Sequence, residues 1–147
     1  MSGGLRLRME FRVCELPLVR ALVEEAALRA GLTAPARGAF GQAAVEIATD
    51  AAARGADPGV VELRVRESEL RCEVRYGGAD LPAGRPEGRG PRLAESLVAG
   101  IGAAARIDVH DTPGGTSVTL SAPLPVPPPV PLPAPVRTPP ARALPAR

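Results

Sequence analysis

The chain has 147 residues, 45% of them hydrophobic, and a formal net charge of +2, which suits one domain with a single modest core. All 18 basic residues are arginine, which excludes a Walker-type phosphate-loop lysine, a Schiff-base lysine and a lysine nucleophile. The stretch 122–147 holds three of those arginines and none of the 16 acidic residues, so residues 1–121 are close to neutral; with Phe11, Phe40 and Tyr76 as the only aromatic residues, nucleic acid is not an expected partner.

Leu5 to Val13 alternates apolar and polar residues strictly, the pattern of a half-buried strand with Leu5, Leu7, Met9, Phe11 and Val13 on the core face. Pro17 opens a predicted helix to about Ala30, with Val19, Leu22, Val23 and Ala26 on one side and Gly31 as its stop. A second helix is predicted from about Pro35 to Arg54, with Phe40, Ala43, Ala44, Ile47 and Ala51 as its buried stripe. Val61, Leu63 and Val65 alternate as a strand, and Leu70, Cys72, Val74 and Tyr76 as the next. The short link Arg66-Glu67-Ser68-Glu69 makes the two a hairpin.

Residues 77–90 read as a Gly/Pro-rich loop, followed by a helix from Pro91 with Leu93, Leu97, Val98 and Ile101 on its apolar face. Ile107 with Val109, and Val118 with Leu120, mark two further strands around the turn Asp111–Gly115. The order β-α-α-β-β-α-β-β predicts an α+β two-layer sandwich: a mixed, mostly antiparallel sheet covered by helices on one face. From Ala122 to Arg147 there are 11 prolines in 26 residues, so the domain is expected to span 1–121 and 122–147 to be a disordered Pro-rich tail. Its Val126–Pro131 run has the composition that grooves reading polyproline accept.

Cys14 and Cys72 fall in separate predicted strands with no metal-ligand spacing and read as buried, reduced thiols. No run approaches the ~20 apolar residues of a membrane span, and the N-terminus lacks a signal-peptide core. The expectation is therefore a cytoplasmic protein with no membrane partner. His110, on the polar side of its strand, is expected to be exposed and not a ligand.

Three clusters bear on chemistry. Gly88-Arg89-Gly90 precedes a helix start, where unpaired N–H groups and the positive dipole end favour an anion. Glu46, Asp50 and Arg54 are four apart and so share one helix face, which serves equally a general base beside a Mg²⁺ ligand or a solvated face with helical charge pairs. Tyr76-Gly77-Gly78-Ala79-Asp80 follows a strand, and Gly114-Gly115-Thr116 precedes the last one.

With this order and spacing, the body resembles the GHKL (histidine-kinase-like) ATPase fold in the small bacterial form of anti-sigma factors with serine kinase activity. The Glu46–Ala51 segment stands where that family has Glu-x-x-x-Asn-Ala, whose Asn binds Mg²⁺; Tyr76 to Asp80 stands in its Asp-x-Gly-x-Gly adenine box; Gly88-Arg89-Gly90 matches its phosphate loop.

The resemblance implies ATP and Mg²⁺ as cofactors, Glu46 as catalytic base and Asp50 as metal ligand. It implies nucleotide contacts from Asp50, Arg54, Tyr76, Gly78, Asp80, Gly88, Arg89, Gly90 and Thr116. The implied partners are a sigma factor, an antagonist protein carrying the target serine, or a second copy of the chain. Two departures matter: Tyr76 stands where the family has an adenine-reading carboxylate, and Asp80 where it has the box's last glycine. They leave a second reading, a degenerate member that binds a partner protein without nucleotide.

Overall fold

The computed structural model describes residues 4–55, 58–76, 89–102, 104–113 and 115–125. Five strands form one sheet: β1 (Arg6–Phe11), β2 (Gly59–Arg66), β3 (Glu69–Tyr76), β4 (Arg106–Thr112) and β5 (Gly115–Pro123). Their order is β1-β2-β3-β5-β4, and every adjacent pair is antiparallel. Helices α1 (Leu16–Ala30), α2 (Ala34–Ala53) and α3 (Arg89–Ala99) complete the α+β sandwich. The residues that alternation assigns to one side, among them Phe11, Val61, Leu63, Leu70, Cys72, Val74, Val118 and Leu120, are buried under the helices. Their neighbours in sequence form an open, charged outer face.

Helix α2 starts at Thr33, whose hydroxyl accepts from the Ala36 N–H at 3.4 Å. Its buried side is Phe40, Gly41, Ala43, Ala44, Ile47, Ala48 and Ala51. Small residues on that side let the backbone lie close to its neighbours, while Phe40 and Ile47 supply the bulk of the burial, each about 1.5–3 kcal/mol. Gly31 takes φ 93° to end α1, and the loop Gly31–Thr33 turns the chain directly into α2.

Three boundaries differ from the sequence expectation. β1 stops at Phe11, and Val13 and Cys14, expected in the strand, are exposed in a short 3₁₀ turn. The reason is pairing: Phe11 lies opposite Gly59, where β2 begins, and beyond it β1 has no partner. The Glu15 carboxylate then accepts the Arg12 N–H at 3.0 Å and holds the turn. Helix α3 begins at Arg89 rather than Pro91, which is possible because the first N–H groups of a helix have no intrahelical acceptor to lose. β5 runs to Pro123, past residue 121, with Ala122 buried and the Leu124 N–H bonded to Ser68 O at 2.9 Å. The remaining stretch, 126–147, lies outside the described residues.

Two features of the sheet give measurable consequences. A Cβ on Gly59 would sit 2.5 Å from Phe11 Cζ, because the aromatic ring lies over the glycine. Gly59→Ala is therefore expected to cost about 1–3 kcal/mol, read by urea denaturation; an unchanged midpoint would contradict this packing. At the other end of the sheet, Glu69 accepts from Arg106 and Arg71, and the Arg106 hydrogen bond is the main reason its carboxyl lies below the ordinary 4.5. A carboxylate whose pKa is lowered in the folded state adds stability above the unfolded value and loses it as pH falls through the folded value. Glu69→Gln should accordingly flatten the fall in stability below about pH 4.5. An acid limb identical to that of the wild type would count against the pairing.

Candidate functional site

The site grows from one stripe of α2. Gln42, Glu46, Asp50 and Arg54 recur every fourth residue and so line up along the helix. Asp50 is the centre of the lower half. Its Oδ2 accepts the Tyr76 hydroxyl at 2.9 Å and Arg54 Nε at 3.0 Å. Tyr76, the last residue of β3, is only 3% exposed, and its hydroxyl also approaches Ile47 O at 3.2 Å. One O–H proton serves both acceptors, with the carboxylate the stronger. Burial first, then the Asp50 charge and hydrogen bond, raise the Tyr76 pKa far above that of a free phenol, so it stays a neutral donor.

The upper half is tied to α1. Gln42 Nε2 donates to Glu46 Oε2 at 2.7 Å, and Gln42 Oε1 accepts from Arg20 at 2.8 Å. Arginine only donates and an ionised carboxylate only accepts, so the amide orientation is dictated by its two partners. Arg20 also pairs with Glu24 at 2.8 Å. Gln42 and Arg20 were missed at the sequence level. The four-residue spacing already placed Gln42 on the Glu46 face, but only the packing of α1 against α2 brings Arg20 to it.

Thr116 joins the site through the sheet, since it is the register partner of Tyr76 on one side and of Asp111 on the other. Its hydroxyl donates to Asp111 Oδ1 at 2.9 Å, beside the turn of the β4–β5 hairpin. Thus Asp50, Arg54 and Tyr76 are in contact, Thr116 lies beside Tyr76, and Glu46 is one turn along α2. Gly78, Asp80 and Gly88 lie outside the described residues, as does Gly114. Arg89 and Gly90 open α3, and the backbone is all that is described there.

The side chains around Asp50 do not fit a resident Mg²⁺. The ion demands near-octahedral oxygen ligands at about 2.0–2.1 Å, whereas Asp50 Oδ2 is already engaged by a hydroxyl and by a guanidinium whose positive charge repels a dication. Among the described residues, no group of three or more His, Cys, Asp or Glu is placed to hold a metal ion. Cys72 is not reactive, because burial pushes its thiol up to about 12. Among the described residues no helix is long and apolar enough to cross a membrane.

No family model matches the sequence, and a search of curated proteins finds no match either. Solved structures do match. The RsbU and RsbW domains of Rv1364c from Mycobacterium tuberculosis give a TM-score of 0.60 at 20% identity, over 84% of this chain and 33% of that one. The Erythrobacter litoralis EL346 blue-light activated histidine kinase gives 0.52 at 24% identity, over 76% of this chain and 41% of that one. The chain thus spans well under half the length of either. What is shared is architecture: the chain has the α+β fold of these structures, in keeping with the GHKL-type fold expected from the sequence.

Proposed function

We propose that this chain is a regulatory protein of the anti-sigma factor type that controls a partner protein by binding it, and that it does so without nucleotide. The observation that carries this reading is the Tyr76–Asp50–Arg54 contact. The resemblance assigns Tyr76 to the adenine and Asp50 to the metal; here the two bond to each other. A ligand entering would have to break a buried hydroxyl–carboxylate bond and a charge-assisted Arg–Asp bond, and would find no carboxylate at the adenine position. The partner on this reading is a sigma factor or an antagonist of one, the class that the resemblance brings with it.

A second reading, in which the chain binds ATP and phosphorylates a serine on its partner, draws on one observation. Glu46 keeps its place on the α2 face one turn from Asp50 and is oriented by Gln42. Calorimetric titration with ATP, with and without Mg²⁺, separates the two. The first predicts no saturable heat from a folded sample; Mg²⁺-dependent saturation in the micromolar range supports the second.

A further inference from the structure

The outer face of the sheet, on the side away from the helices and from Tyr76, has its charges sorted into rows. Strand register places Arg6, Arg64, Arg71, Ser121 and Arg106 in one line across all five strands. The next line, two residues along and so about 6.8 Å away, runs Arg8, Glu62, Glu73, Thr119 and Asp108, acidic at three of its five positions. Like charges directly opposite on neighbouring strands are destabilising, and this face places Arg64 between two arginines.

Two members of the arginine row have unmet polar capacity. Arg6 reaches Glu62 at 3.5 Å, Arg71 reaches Glu67 and Glu69 at 3.3 and 3.1 Å, and Arg106 pairs with Glu69 and Asp108. Half-buried Arg64 has no ion-pair partner among the described residues. Ser121 points outward by alternation with buried Leu120 and Ala122, yet is 1% exposed, and its Oγ has no hydrogen-bond partner among the described residues. The Glu69–Arg106 pair explains the burial: it joins β3 to β4 across β5, over Ser121. With Ser121 covered by that pair, the unpaired Arg64 between two arginines is what a stability argument alone leaves unexplained.

We propose that this arginine row is a docking surface for an acidic helix of a partner protein. The strands are about 4.8 Å apart and one helical turn rises about 5.4 Å, so a stripe of Glu or Asp at i, i+3 and i+4 spacing meets the row nearly in step. The adjacent row of Glu62, Glu73 and Asp108 then selects a basic residue beside that stripe. The same acidic row repels a continuous polyphosphate and so disfavours nucleic acid. The proposal rests on the reading that the chain acts by binding a protein, and adds where it binds and what charge pattern it reads.

The test uses the full chain and a fluorescent synthetic helical peptide with a glutamate stripe flanked by lysines. A scrambled peptide of equal composition and a labelled oligo-dT serve as comparisons. The striped peptide should bind best, weaken with added salt, and lose roughly tenfold or more in affinity on Arg64→Glu. Arg64→Gln should weaken binding while leaving the melting temperature unchanged or higher, because it relieves the like-charge row. The proposal is overturned if Arg64→Glu binds the peptide normally, if the scrambled peptide or the oligonucleotide binds as well as the striped one, or if Arg64→Gln lowers the melting temperature. The outcome is independent of ATP titration, so either reading can fail without the other.

Discussion

Tyr76→Asp alone is expected to cost about 3–5 kcal/mol, a large share of the stability of a small domain. The change removes a buried ring at the end of β3 and leaves its volume unfilled. It also sets a new carboxylate facing Asp50, whose side chain is only 10% exposed. Two carboxylates in such surroundings cannot both ionise at low cost. Combining Tyr76→Asp with Asp50→Asn removes the like-charge repulsion. The double variant should therefore recover part of the loss, by about 1–2 kcal/mol. It also restores the Glu-x-x-x-Asn and Asp-x-Gly pattern of the family that the sequence resembles, so it is the variant in which ATP affinity should rise. Urea denaturation of the two variants checks the first part; a single variant as stable as the wild type would remove Tyr76 from the Asp50 contact.

Asp50→Ala is expected to cost about 2–3 kcal/mol. Its Oδ2 is the shared acceptor for Tyr76 and Arg54, and alanine leaves the buried hydroxyl with Ile47 O alone. Asp50→Asn keeps an oxygen in that place and loses only the charge, so its cost should be nearer 1 kcal/mol. A double-mutant cycle of Asp50→Ala with Tyr76→Phe isolates the bond itself. The expected coupling is about 1–2 kcal/mol. Additive losses would show that the two side chains do not interact in solution.

The regular elements were legible because their patterns are physical. The 2-residue alternation of Leu70, Cys72, Val74 and Tyr76 and the helical spacing of Phe40, Ala43, Ala44, Ile47 and Ala51 report which side meets the core. Val13 continues the β1 alternation and yet is 65% exposed, because a strand ends where its partner ends, and Gly59 is not visible from residues 5–13. Pro123 falls in the stretch expected to be a Pro-rich tail, yet it ends β5. It is tolerated because β4 begins opposite Ser121, so at Pro123 β5 has a neighbour on one side only.

In the site, spacing alone put Glu46, Asp50 and Arg54 on one face. The contact of Asp50 with Tyr76 joins a helix to a strand 26 residues away, and nothing in either segment encodes that distance. Thr116 was legible as a strand start and, through the resemblance, as a nucleotide contact; its place beside Tyr76 depends on β5 inserting between β3 and β4.

The most direct measurement is calorimetric titration of the folded full chain with Mg-ATP. With Asp50 held by Tyr76 and Arg54, no saturable binding is expected up to roughly millimolar ATP, an affinity worth less than about 4 kcal/mol. Saturable, Mg²⁺-dependent binding in the micromolar range would contradict the account, because it would require the Tyr76–Asp50–Arg54 contact to open for a ligand that it is argued to replace.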